Sequence, residues 1–101
     1  MSVTISPGML KALVGFTGEP RADLAIRLAL KDAVRFRLEE IERGLRRFEE
    51  KYVRNFAEFE KAFQNEEIPA AYSYEVEGDY LEWEGLLSRK KRMEKILEGL
   101  E

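Results

Sequence analysis

Apolar residues recur along this chain in several distinct rhythms, and each rhythm predicts its own element. The sharpest runs through the middle, where Val34, Leu38, Ile41, Leu45, Phe48 and Tyr52 are spaced 4-3-4-3-4. That spacing puts all six on one narrow stripe, a helix-pairing seam that needs a partner helix. The stripe belongs to a helical segment predicted from about Arg21 to Tyr52, roughly 48 Å long at ~1.5 Å per residue. Its first half reads differently: Leu24, Ala25, Ile26, Leu28, Ala29 and Leu30 cover most of the circumference and call for enclosure on several sides. A monomer this small struggles to provide that. The change of pattern near Lys31 and Asp32 leaves a bend open at that point.

The flanking segments are shorter. Ser2-Val3-Thr4-Ile5 alternates polar and apolar residues and is rich in β-branched side chains, which predicts a short strand or extended arm. Ser6-Pro7 supplies a cap and a proline at the first helical position, so a short helix is expected from Pro7 to Val14, stopped by Gly15 and Gly18. Asn55-Phe56-Ala57-Glu58 has capping-box spacing, and Phe56, Phe59 and Phe63 follow on one helical face. Asn65 to Ala71, with Pro69, reads as the loop that reverses the chain before a last helix from about Glu77 to Leu100. Tyr80, Trp83, Leu86, Leu87, Met93, Leu97 and Leu100 form the apolar face of that helix. No internal repeat or low-complexity segment interrupts the pattern. The expected fold is therefore mainly all-α and a single domain over residues 1–101. Residues 1–18 give a strand and short helix, and residues 21–100 a long antiparallel helical hairpin or small bundle.

Composition narrows the function. With 45% apolar and 37% charged residues, the 101-residue chain is too apolar for disorder and too charged for a membrane span. The segment from Met9 to Phe16 contains Lys11 and lacks a basic lead-in, so it does not read as a signal peptide, and a cytoplasmic protein is expected. Cysteine and histidine are both absent, which removes disulfides, thiolate and imidazole metal sites, and Cys–His or Ser–His–Asp catalysis. Amides are scarce, limited to Asn55, Gln64 and Asn65, while Glu, Lys and Arg abound, a pattern associated with thermophiles. Charge is uneven: residues 1–54 hold eleven Lys/Arg against eight Asp/Glu, and residues 55–101 hold six against twelve. That asymmetry fits antiparallel helix packing or contact between copies.

Few groups remain to carry chemistry. Glu39, Glu40 and Glu42 on one helix and Glu75, Asp79 and Glu82 on another are the candidates for Mg²⁺-assisted phosphate chemistry. Glu39, Glu42 and Glu49 sit beside Arg43, Arg46 and Arg47 at helical spacings, which is the pattern of a solvated, ion-paired face. Arg89-Lys90-Lys91-Arg92 encircles its helix instead of lining one side, and Ser2 to Ile5 has no Lys, Arg or Gln to read bases, so nucleic acid is disfavoured as a partner. The aromatics stand out more. Phe56, Phe59, Phe63, Tyr72, Tyr74, Tyr80 and Trp83 are concentrated in one region, and of these Phe56, Phe59, Phe63, Tyr80 and Trp83 are the candidates for partner contact, the plainer reading being the core of the domain.

Phe48-Glu49-Glu50-Lys51-Tyr52, Phe56-Ala57-Glu58-Phe59-Glu60 and Asp79-Tyr80-Leu81-Glu82-Trp83-Glu84 together resemble small helical proteins of archaea and bacteria that are encoded beside presumed toxins and regarded as antitoxin-like. The resemblance spans about residues 34–100. It departs at Val53, where those proteins carry glycine, and at Asn55, where they carry serine. Glycine would close the helix through a left-handed turn, so Val53 predicts a different or more open corner. The resemblance implies a small toxin protein as partner, bound by the aromatic and acidic face of the C-terminal half, with no catalytic residue to carry over.

The leading expectation is thus a non-enzymatic, helical protein-binding module of the antitoxin type, homodimeric or of higher order when free, with no cofactor, no metal and no membrane contact. The alternatives are a self-assembling structural helical protein and a Mg²⁺-dependent nucleotide hydrolase.

Overall fold

The computed structural model describes residues 4–101. The elements are α1 (Pro7–Thr17), α2 (Ala22–Tyr52), α3 (Phe56–Gln64) and α4 (Tyr74–Leu100). No strand occurs among the described residues: Thr4 and Ile5 are irregular, and Ser2 and Val3 lie outside the described residues. An isolated strand has no ladder partner here, so the alternation at residues 4–5 does not produce one.

The helix ends follow local chemistry. Ser6 caps α1 by accepting from the Met9 amide at 3.2 Å, with proline in the first turn. The helix passes through Gly15 and stops only at Gly18, whose φ of 73° and bond to the Val14 carbonyl form the left-handed cap. The predicted stop at Val14 is therefore three residues short. α2 runs unbroken past Lys31 and Asp32, so the change in apolar pattern there marks a change of neighbour and not a bend. Asn55 and Glu58 cap α3 reciprocally, at 2.9 and 3.0 Å. Ser73 caps α4, which begins one turn earlier than the apolar pattern predicts, at Tyr74.

Val53 corrects another expectation. Its φ of 53° and ψ of 38° are left-handed, so the corner is the closed one glycine would make, adopted by a β-branched residue at a steric cost.

α2 is the spine. Ion pairs of Lys51 with Glu75 and Asp79, of Glu42 with Lys90 and of Arg35 with Glu101 set α4 antiparallel along it. Val34, Ile41, Leu45 and Phe48 of the seam are buried, and Leu38 and Tyr52 half-buried. Gly44 is buried between the two helices, where a Cβ would stand 2.9 Å from Leu86 Cδ1 and the tip of that leucine would have to shift. Ala25, where α2 packs against α1, is nine positions from Val34. At about 100° per residue that is half a turn around the helix, so α1 and α4 occupy opposite sides of the spine. The result is a rod with extents of 58 × 28 × 23 Å. No helix among the described residues is long and apolar enough to cross a membrane.

Candidate functional site

The main core lies at the corner end of the rod and is built on Trp83. Trp83 is 1% exposed and Phe59 0%, the largest fully buried side chains. Ring centroids of Phe48, Phe56 and Phe59 lie 5.5, 5.4 and 5.1 Å from that of Trp83, and Tyr80 packs 4.9 Å from Phe63. Ile68 and Ala71 close the core from the loop, so the chain between α3 and α4 is tied down by its own apolar residues.

This placement decides the aromatic candidates. Phe59 and Trp83 are interior, and Phe56, Phe63 and Tyr80 are half-buried against them. Within this chain Phe59 and Trp83 pack as core, and the five rings find one another. Three helices converge at the corner, and that enclosure satisfies the apolar area that would otherwise seek a partner.

A polar knot ties the same corner. Lys51 Nζ donates to Glu75 Oε1 at 2.7 Å and to Asp79 Oδ2 at 2.6 Å, and the Tyr52 hydroxyl donates to Asp79 Oδ2 at 2.6 Å. Burial acts to raise the Asp79 carboxyl, but the hydrogen bonds from Lys51 and Tyr52 outweigh it and hold the group below its ordinary value. Burial first, then the bond to Asp79, pushes the Tyr52 hydroxyl up to about 12. The bond to Glu60, at 2.6 Å, does the same for Tyr80, also to about 12. Lys51 is raised by its bonds to Asp79 and then Glu75. The shifts of Lys51, Asp79, Tyr52 and Tyr80 all favour the ordinary charge state at neutral pH, as mutual hydrogen bonding in a structural tie does.

The remaining carboxylates do not converge. Glu42 meets Lys90 at 2.8 Å and Glu40 meets Arg37 at 3.5 Å, while Glu39 and Glu82 are exposed. Among the described residues no group of three or more acidic side chains is placed to hold a metal ion.

What the fold presents to solvent instead is the outer face of α4. Tyr74 is 96% exposed and Leu81 66%. Both lie about half a turn from Trp83, at 180° and 160° by helix arithmetic, and so project away from the core. Glu77 and Glu84 flank them on one side and Glu75 and Glu82 on the other, all exposed. Gly78 and Gly85 sit on the same outward strip with open space at the Cβ position, and a shallow depression runs on past Leu81 and Gly85 to Ser88 and Arg92. Residues 55–84 carry nine acidic groups against one lysine; of those on this face, Glu75 is paired with Lys51, and Arg89 and Arg92 line the far end of the depression. The signal for it was in the sequence: Tyr74 and Leu81 fall off the stripe that holds Val76, Tyr80, Trp83 and Leu87.

No curated protein and no solved structure matches the chain. A family model, described as the uncharacterized protein MJ0235 family, matches residues 19–101, all of α2, α3 and α4 together with the polar knot and the outer face of α4. The chain belongs to the uncharacterized protein MJ0235 family.

Proposed function

We propose that this chain is a helical protein-binding module that acts through the outer face of α4, and that its partner is a small basic protein, bound in the manner of an antitoxin. The observation that carries the reading is the exposure of Tyr74 and Leu81 between two rows of carboxylates on a helix whose opposite side is locked into the core. An aromatic ring and a leucine on a rigid helix supply anchors at little conformational cost, while the carboxylates steer a basic partner and reject an acidic one. The open strip at Gly78 and Gly85 lets a partner backbone approach closely. The resemblance of residues 34–100 to antitoxin-like proteins supports the toxin as the narrower form of the partner. The aromatic contacts of that form pass from the buried rings to Tyr74 and Leu81.

The test is affinity capture of the full chain from its source cells beside a Tyr74→Lys/Leu81→Lys variant. One stoichiometric small basic protein with the wild type, lost with the variant at unchanged circular dichroism, is the expected result. Recovery of the wild-type chain alone, or a partner retained by the variant, overturns the reading.

A further inference from the structure

The opposite end of the rod is incompletely buried. α1 is apolar on nearly every side, with Lys11 its only charged residue, yet it buries no residue fully. The adjoining half of α2 buries Ala25 and Val34 alone. A helix apolar all round is stable in water only when it is covered all round. Met9 and Phe16 are instead 59% and 69% exposed, and Leu28 40%.

These residues are not scattered. Met9, Ala12 and Phe16 share one face of α1, and Leu24 and Leu28 share one face of α2 beside Ala25. In an antiparallel pair of right-handed helices both stripes turn to the same flank, so the hairpin offers one continuous apolar side.

The whole-molecule dimensions agree. A compact monomer of 11.8 kDa exposes about 5,900 Å², whereas this chain exposes 7617 Å². The excess of about 1,700 Å² exceeds the roughly 800 Å² that each partner contributes to a standard interface. The radius of gyration is 19.5 Å, against about 13 Å for a compact chain of this length.

We propose that the α1–α2 hairpin docks on the same hairpin of a second copy through this flank, giving a two-fold dimer whose centre is a four-helix bundle. The occupant must be apolar, because charges buried without partners are costly. That excludes the acidic end of α4 in a second copy, where carboxylates line the exposed strip. The hairpin itself fits. Residues 4–33 hold four Lys/Arg against three Asp/Glu, so two hairpins meet without a large net charge, and the acidic ends point away from one another. Two paired hairpins make a four-helix bundle, in which each helix gains a second neighbour. This dimer does not depend on the partner surface of α4, which stays exposed in it.

The full chain should behave as a dimer at tens of micromolar in light scattering. Phe16→Lys/Leu28→Lys should weaken association by about a hundredfold or more, since a charge is driven into an apolar contact twice per copy, with helical circular dichroism unchanged. The chain has no cysteine, so a single spin label at Lys11→Cys, on the outer side of the bundle, should report a distance between copies of about the width of the bundle, and one at Glu67→Cys none within range. A wild-type monomer at that concentration, a dimer that survives the lysine pair, or a distance within range from Glu67→Cys and not from Lys11→Cys overturns the proposal.

Discussion

The two ends of the rod are built on one continuous helix and differ in almost everything else. At the corner, α2 meets α3, a tied-down loop and the first half of α4, and Trp83 is packed among Phe48, Phe56 and Phe59. At the other end, among the described residues, α2 meets α1 alone, and that contact buries Ala25 but no residue of α1. Helix propensity and length are similar in both halves, so what separates them is the number of neighbours and the side-chain volume those neighbours bring. The corner is a finished core, while the hairpin is half of one.

The largest expected effect tests the finished half. Trp83→Ala removes the ring on which the corner is built and should cost about 3–5 kcal/mol in urea-denaturation midpoints, a large share of the stability of a domain this size. A loss below about 1 kcal/mol would mean that the corner carries little of the fold, and the contrast between the ends would collapse.

Gly44 sharpens the comparison at the junction. Gly44→Val places branched carbons against Leu86, which is itself buried, and should cost about 1–3 kcal/mol in the same assay. Gly44→Ala should be close to neutral, because the tip of Leu86 can give way while alanine restores about 1 kcal/mol of helix propensity. Equal losses for the two would show that backbone approach, and not side-chain volume, sets the spacing of α2 and α4.

How much of this could be read in advance follows the same division. The seam from Val34 to Tyr52 was legible because a narrow stripe has one interpretation, a neighbouring helix, and α4 is that helix. The capping box at Asn55 was legible because both halves of it are local. The burial of Phe59 and Trp83 was legible only as the plainer of two readings, because an aromatic cluster suits a core or a contact surface until three elements are seen to converge on it. Tyr74 and Leu81 were less legible because they lie off the apolar stripe, and an apolar residue there reads as ordinary surface until the other side of its helix is seen locked in the core. The broad apolar pattern from Leu24 to Leu30 called for enclosure, and within the described residues only α1 supplies any.

Tyr52→Phe tests the polar knot that closes the finished end. It deletes one donor to Asp79 and should cost about 0.5–1.5 kcal/mol near neutrality. The pH profile gives the sign. Asp79 is held below its ordinary value, so its contribution is complete above about pH 4, the unfolded carboxylate value, and is lost as acid takes the pH through the lower folded value. Tyr52 is raised to about 12, so its contribution is complete below about pH 10 and is lost as the pH rises from there towards 12. The phenylalanine variant should therefore differ most from wild type between those limits and converge with it at both. A constant offset across the whole range would detach the tyrosine from the knot.

The smallest effect has the opposite sign. Val53 is 86% exposed and touches little, so its one structural consequence is its left-handed backbone. A residue with a Cβ pays roughly 1–2 kcal/mol in that conformation, and glycine returns roughly 0.5–1 kcal/mol of this through its freer unfolded chain. Val53→Gly should then stabilise the protein by about 0.5 kcal/mol, a rise of roughly 2–4 °C in Tm for a domain of this length. The gain should be the same with and without Phe16→Lys/Leu28→Lys, because the corner and the hairpin lie at opposite ends of α2 and share no neighbour. A gain that changed with the state of the hairpin would mean that α2 transmits strain along its length, and the two ends would no longer be independent.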